Sequence, residues 1–143
     1  MTDEYLSNLQ LFYDLFSVEL AERKIECLDT ASIVSRQLLN AGIKHRVVCG
    51  TARLSLKYSD LALLPHYYVE ADIANCLIIF DPSLAFWLED EIADGLVMPF
   101  VFRGYQDAES FGIHYSPYEP VDLGKMVCSD LAELADQHSL PFS

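Results

Sequence analysis

Apolar residues recur at helical spacing from the start of the chain. Leu6, Leu9, Tyr13, Phe16 and Leu20 form one stripe, with Thr2 placed to cap the first turn and Asp3 and Glu4 where a helix dipole favours acids. The pattern predicts a helix over about residues 3 to 22. A second stripe, Cys27, Ala31, Val34, Leu38 and Ala41, predicts a helix over about residues 27 to 41, stopped by Gly42 in the left-handed conformation that ends many helices. Beyond Gly42 the period shortens. The runs IKHRVVCG, TARLSLKY, HYYVEAD and NCLIIFD are rich in β-branched and aromatic residues and predict successive strands. Pro65, which has no N–H to donate, fits a strand entry, and Asn75 fits the turn of a hairpin joining the last two strands. After Pro82, LAFWLEDEIA predicts a short helix and VMPFVFRG a strand. GIHYSPYEP predicts an extended edge segment and VDLGKMVCSDLAELADQ a closing helix interrupted at Gly124. The expected architecture is α+β, with N-terminal helices packed on an antiparallel sheet, in a single domain over residues 1–143 without repeat or linker.

Composition narrows the class. A chain of 143 residues, 52% hydrophobic and 22% charged, can close one core and shows no disordered tract. The acidic start MTDEYLSNLQ does not match a secretory signal, and no apolar run approaches the ~20 residues needed to cross a bilayer. A soluble, cytoplasmic protein is therefore expected, with delivery by another route left open. Against 22 acidic residues stand 9 basic ones, and the net charge of -13 repels phosphate backbones and anionic lipid. Nucleic acid and membranes are not expected partners, whereas a basic protein is compatible. The cysteines at 27, 49, 76 and 128 have no C-x-x-C spacing and are too sparse for a disulfide scaffold, so reduced thiols are expected. Cys49, Cys76 and Cys128 are expected in the core.

Cys27 is different because it opens a helix. Unsatisfied N–H groups and partial positive charge at that position favour a thiolate and can meet a developing oxyanion. Arg23 and Lys24 add to this effect, and Glu26 opposes it. A thiolate needs an imidazole to exchange protons with, and the imidazole needs a third group to hold its tautomer. His66 opens HYYVEAD and Asp81 closes NCLIIFD, so a hairpin about Asn75 would bring the two together. Gln10 is a candidate second oxyanion donor. Tyr67, Tyr68 and Glu70 are candidates to line the cleft. Glu70 shares a strand face with His66, although a surface carboxylate is its simpler reading. His45, His114 and His138 lack metal-site spacing and no glycine-rich loop precedes a helix, so neither a metal nor another cofactor is expected.

The segment CLDTASIVSRQLLNAGIKHRVVCG resembles the transglutaminase-like pattern of a cysteine opening a helix, a leucine-rich stretch, Gly-Ile, a basic residue and a strand ending in Gly. HYYVEAD is similar to that family's His-aromatic-aromatic-x-Glu strand, and FDPSLAFW to its Asp-Pro-Ser/Thr segment. Tyr67 and Tyr68 stand where the family usually carries Trp in the histidine strand, and Leu77, Ile78 and Ile79 replace the Trp often found before Asp-Pro. The resemblance covers about residues 25 to 87 and implies a papain-related fold with Cys27 as nucleophile, His66 as general acid/base and Asp81 as its orienter. It implies acyl transfer or amide hydrolysis through a Cys27 thioester, of protease, amidase, deamidase or transglutaminase type, on a protein, a peptide or a small amide. The oligomeric state stays open. Two alternatives stand beside it. One is a catalytically inactive module of this fold that binds a protein through its acidic surface. The other is an arylamine-acetyltransferase-like acyltransferase, against which Arg23-Lys24-Ile25-Glu26 replaces the Arg-Gly-Gly that usually precedes that group's cysteine.

Overall fold

The computed structural model describes residues 2–56, 60–121 and 129–141. Helix α1 (Asp3–Glu22) begins as its sequence predicts, with the Thr2 hydroxyl accepting the Tyr5 N–H at 3.2 Å. Helix α2 (Cys27–Asn40) ends where Gly42, at φ 71°, lets the Gly42 and Ile43 N–H groups turn back onto the Leu39 and Leu38 carbonyls. Strands β1 (His45–Ser55), β2 (Asp60–Ile73) and β3 (Cys76–Phe80) follow. Short helices α3 (Leu84–Trp87) and α4 (Glu89–Ala93) lead to β4 (Val101–Phe102), α5 (Gly104–Ser110), β5 (Ile113–Val121) and α6 (Ser129–Gln137).

The fold is α+β: the five strands form one antiparallel sheet in the order β4-β3-β2-β1-β5, with helices packed on it. Strand alternation assigns the faces. Val47, Val69 and Phe80 are in register across β1, β2 and β3, and Phe80 meets Tyr13 of α1 edge-on at 5.5 Å. His45, of the same parity, pairs its Nε2 with the Ser35 hydroxyl of α2 at 2.7 Å. That face is the main core. On the opposite face Tyr68 and Glu70 both reach Tyr105 of α5. The α1–α2 pair is tied by a buried bond from the Tyr13 hydroxyl to Gln37 Oε1 at 2.8 Å, and α6 is held to α2 by Arg36 and Asn40, which both donate to Asp136.

Several expectations change. The runs expected to form two strands on either side of Gly50 share one, His45–Ser55, because β1 continues through an irregularity between Gly50 and Ala52 and keeps pairing with β2 on one side and β5 on the other. Pro65 lies inside β2, not at its entry. The Leu64–Pro65 peptide is cis, and this pair drops out of the ladder where β1 shifts register. A residue without an N–H is tolerated there because no ladder bond is required of it. His66 is therefore internal to a strand that starts at Asp60. The single helix expected over LAFWLEDEIA is two, the strand over VMPFVFRG shrinks to Val101–Phe102, and α5 was not anticipated. Cys49 and Cys76 are half-buried instead of core. Cys128 and the Gly124 break lie outside the described residues. The hairpin turn stands as read: Ala74 and Asn75, at φ 52° and 63°, form a two-residue connection closing Ile73 onto Cys76. No helix among the described residues is long and apolar enough to cross a membrane.

Candidate active site

The chemistry of the site begins at Asp81, which follows the last residue of β3. Its carboxylate is 1% exposed and takes three donors. His66 donates from Nε2 to Oδ2 at 2.7 Å, Tyr115 of β5 donates its hydroxyl to the same oxygen at 2.6 Å, and Ser83 donates to Oδ1 at 2.7 Å. A buried carboxylate needs such company, because each unpaired lone pair carries a desolvation cost. Ser83 reaches it because the turn after β3 folds tightly, with the Leu84 N–H donating to the Asp81 carbonyl at 3.3 Å.

His66 is fully buried, with Tyr68 and Tyr115 stacked near it at centroid distances of 6.1 and 6.3 Å. Burial is the largest influence on the imidazole and favours its neutral form. The charge and hydrogen bond of Asp81, assisted by Cys27, outweigh it and raise the His66 pKa from 6.5 to about 10. With Nε2 committed to Asp81, Nδ1 is the remaining nitrogen. It has no partner within ordinary hydrogen-bond geometry. The Cys27 side chain is close enough to add to the rise in the imidazole pKa, although it makes no hydrogen bond of ordinary geometry with Nδ1.

Cys27 is the first residue of α2 and is half-buried. The preceding Glu26 makes no side-chain cap, so no side chain caps the first-turn N–H groups at its position. Arg23 pairs with Glu19 at 3.2 Å, on its own helix. A second set of groups flanks the thiol. Tyr67 lies opposite Cys49 in the β1–β2 register, and Cys49 lies opposite Glu119 of β5. The Tyr67 phenol is pushed up by its hydrogen bond with Cys49, by burial and by the nearby charges of Cys49, Cys27 and Glu119.

The remaining sequence candidates have other partners. Gln10 donates its amide to the Val101 carbonyl at 3.1 Å, holding α1 to β4. Tyr68 is buried and donates its hydroxyl to Tyr105 at 3.1 Å, since the Tyr105 proton goes to Glu70. Burial pushes the Tyr68 pKa up to about 12. Glu70 is 5% exposed, which overturns its reading as a surface carboxylate; Arg46 and Tyr105 satisfy its two oxygens. Tyr115 and Ser83 were not anticipated. Ser83 had a local signal in Asp-Pro-Ser, whereas Tyr115 lies 34 residues from Asp81 and had none.

Two grooves of about 480 and 470 Å³ open elsewhere on the surface, and neither is lined by Cys27, His66 or Asp81. Among the described residues no group of three or more His, Cys, Asp or Glu side chains is placed to hold a metal ion. No protein-family model, characterised protein or solved structure matches this chain.

Proposed function

We propose that the protein is a cysteine-nucleophile enzyme of transglutaminase-like, papain-related type that cleaves or transfers an acyl group through a thioester on Cys27. The observation that carries this reading is the buried His66–Asp81 pair at 2.7 Å, with the second imidazole nitrogen unpartnered and the Cys27 thiol at the start of α2 among the groups that raise the ring's pKa. Most buried polar side-chain atoms are hydrogen-bonded, and an imidazole nitrogen left without a partner beside a thiol calls for a functional explanation.

The steps follow from that arrangement. With its pKa raised to about 10, His66 is already imidazolium at neutral pH, held by Asp81 and carrying on Nδ1 the proton that leaves Cys27 as the reacting thiolate. The sulfur attacks an amide carbonyl, and the resulting oxyanion meets N–H groups of the first turn of α2. Collapse of the tetrahedral adduct breaks the C–N bond as Nδ1 returns its proton to the leaving amine, leaving a thioester. His66, left neutral by that transfer, then takes a proton from water or from an acceptor amine as it attacks, and cleavage of the C–S bond releases the acyl group and restores the thiolate–imidazolium pair.

Iodoacetamide labelling followed by mass spectrometry tests the reading, with Cys49 and Cys76 as half-buried internal controls. Cys27 is expected to react about tenfold faster or more at pH 7, and His66→Ala to remove the difference. Equal rates at the three cysteines in the native protein would sink the proposal. One observation favours the alternative of a binding module without catalysis: His66 is fully buried and neither large groove reaches it. Equal labelling would make that the better reading.

A further inference from the structure

The groove of about 480 Å³ lies between α1, the α3–α4 pair and the segment that leads to β4. Its lining is largely apolar and includes Val18, Ala21, Ile92, Leu96, Met98 and Phe100. An apolar surface continues out of it. Leu11, Leu15 and Val18 are spaced to share one side of α1 and are 58%, 70% and 55% exposed, and Val97 on the opposite wall is 85% exposed. Scattered exposed leucines need no explanation, but a contiguous stripe running into a formed groove marks an interaction surface.

Charge identifies the occupant. Every charged side chain that lines the groove is acidic: Asp14 and Glu22 on α1, and Glu89 on α4. Asp14 has its pKa raised by partial burial, so this carboxylate is partly stripped of water, a condition a cation would relieve. A second copy of the chain would bring its own acids to the same rim and a net charge of -13 to the encounter. An anionic membrane meets the same repulsion.

We infer that this groove docks an amphipathic helix whose apolar side fills it and whose flanks carry Lys or Arg facing Asp14, Glu22 and Glu89. An apolar anchor row with charged flanks is the usual grammar of a helix in a groove. Glu22 stands five residues before Cys27, within at most roughly 18 Å of chain. The binding nevertheless uses none of the thiol chemistry and stands or falls without it.

The probe is a fluorescein-labelled peptide of about 18 residues, built from Leu and Lys with leucines at helical spacing, titrated with the full chain and followed by anisotropy. The control carries Glu in place of Lys. Saturable one-to-one binding of the lysine peptide is expected, weakened about tenfold or more in the glutamate peptide and by raised salt. Val18→Asp and Val97→Asp, both at exposed positions and checked by circular dichroism for an unchanged fold, should each weaken it about tenfold. Glu89→Lys should weaken it about threefold to tenfold. Unchanged affinity in both Val variants would overturn the proposal as mere adhesion to an acidic surface. Equal binding of the glutamate peptide, or dimers of the chain that the Val variants dissolve, would overturn it as well.

Discussion

Replacing Asp81 by Asn keeps the shape of the side chain and removes the charge on which buried His66 depends. The interval between the ordinary imidazole value of 6.5 and the folded value of about 10 corresponds, at ~1.4 kcal/mol per pH unit, to roughly 5 kcal/mol of stabilisation. Breaking a buried ion pair by removing one partner costs about 3–5 kcal/mol, so the two routes agree in order of magnitude. Because the folded pKa is raised above the unfolded one, the contribution is fully present below about pH 6.5 and is lost as pH rises through about 10. In Asp81→Asn burial becomes the dominant influence on the imidazole, opposed only by the smaller effect of Cys27, and favours its neutral form, so the variant loses stability as pH falls. The gap between the two proteins is therefore widest at acid pH and closes towards pH 10. Urea unfolding at pH 6, 8 and 10 reads this directly, with a midpoint lowered by roughly 2 M at pH 6 for a chain of this size. A loss below about 1 kcal/mol at pH 6, or a gap that does not shrink between pH 6 and 10, would refute the electrostatic account of the pair.

Other perturbations test the surrounding fold. Tyr13→Phe leaves the Gln37 Oε1 acceptor buried without its donor and should cost about 1–3 kcal/mol in denaturant unfolding. Gly50→Ala would set a Cβ 2.3 Å from the Ser116 carbonyl oxygen, so β5 must move away from β1; a loss of about 1–3 kcal/mol and faster amide exchange in β5 are expected. Since β5 carries Tyr115, the same change should lower the His66 titration midpoint seen by NMR if the Asp81 carboxylate reorients with it. Ala74→Asn places a residue tolerant of the left-handed region at φ 52° and should raise stability by about 0.5–1 kcal/mol, read as a higher unfolding midpoint.

Where the determinants of structure are local, they were legible in the residues. Thr2 capping α1, Gly42 ending α2 and the turn at Ala74 and Asn75 follow from side-chain hydrogen bonding and permitted φ values within a few positions. The hairpin made the meeting of His66 and Asp81 foreseeable, since one turn links the two strands. Ser83 was within reach of the same argument, as part of the turn that follows β3. The strand breaks were less legible. Nothing in the run from His45 to Ser55 distinguishes one strand with an irregularity at Gly50 from two strands with a turn, because both patterns alternate and both carry Gly.

The sequence by itself determined the two N-terminal helices, the antiparallel hairpin and the order of the residues that can do cysteine chemistry. Each of these depends on periodicity or on bonds across a short stretch of chain. Only the tertiary structure decided that Glu70 is buried between Arg46 and Tyr105, that Gln10 is occupied by Val101, and that Tyr115 joins the Asp81 carboxylate. These outcomes depend on which strand lies at which sheet position and which helix covers which face. Burial of a carboxylate or a phenol is set by neighbours distant in the chain, and no periodicity encodes a partner that arrives from the far edge of the sheet.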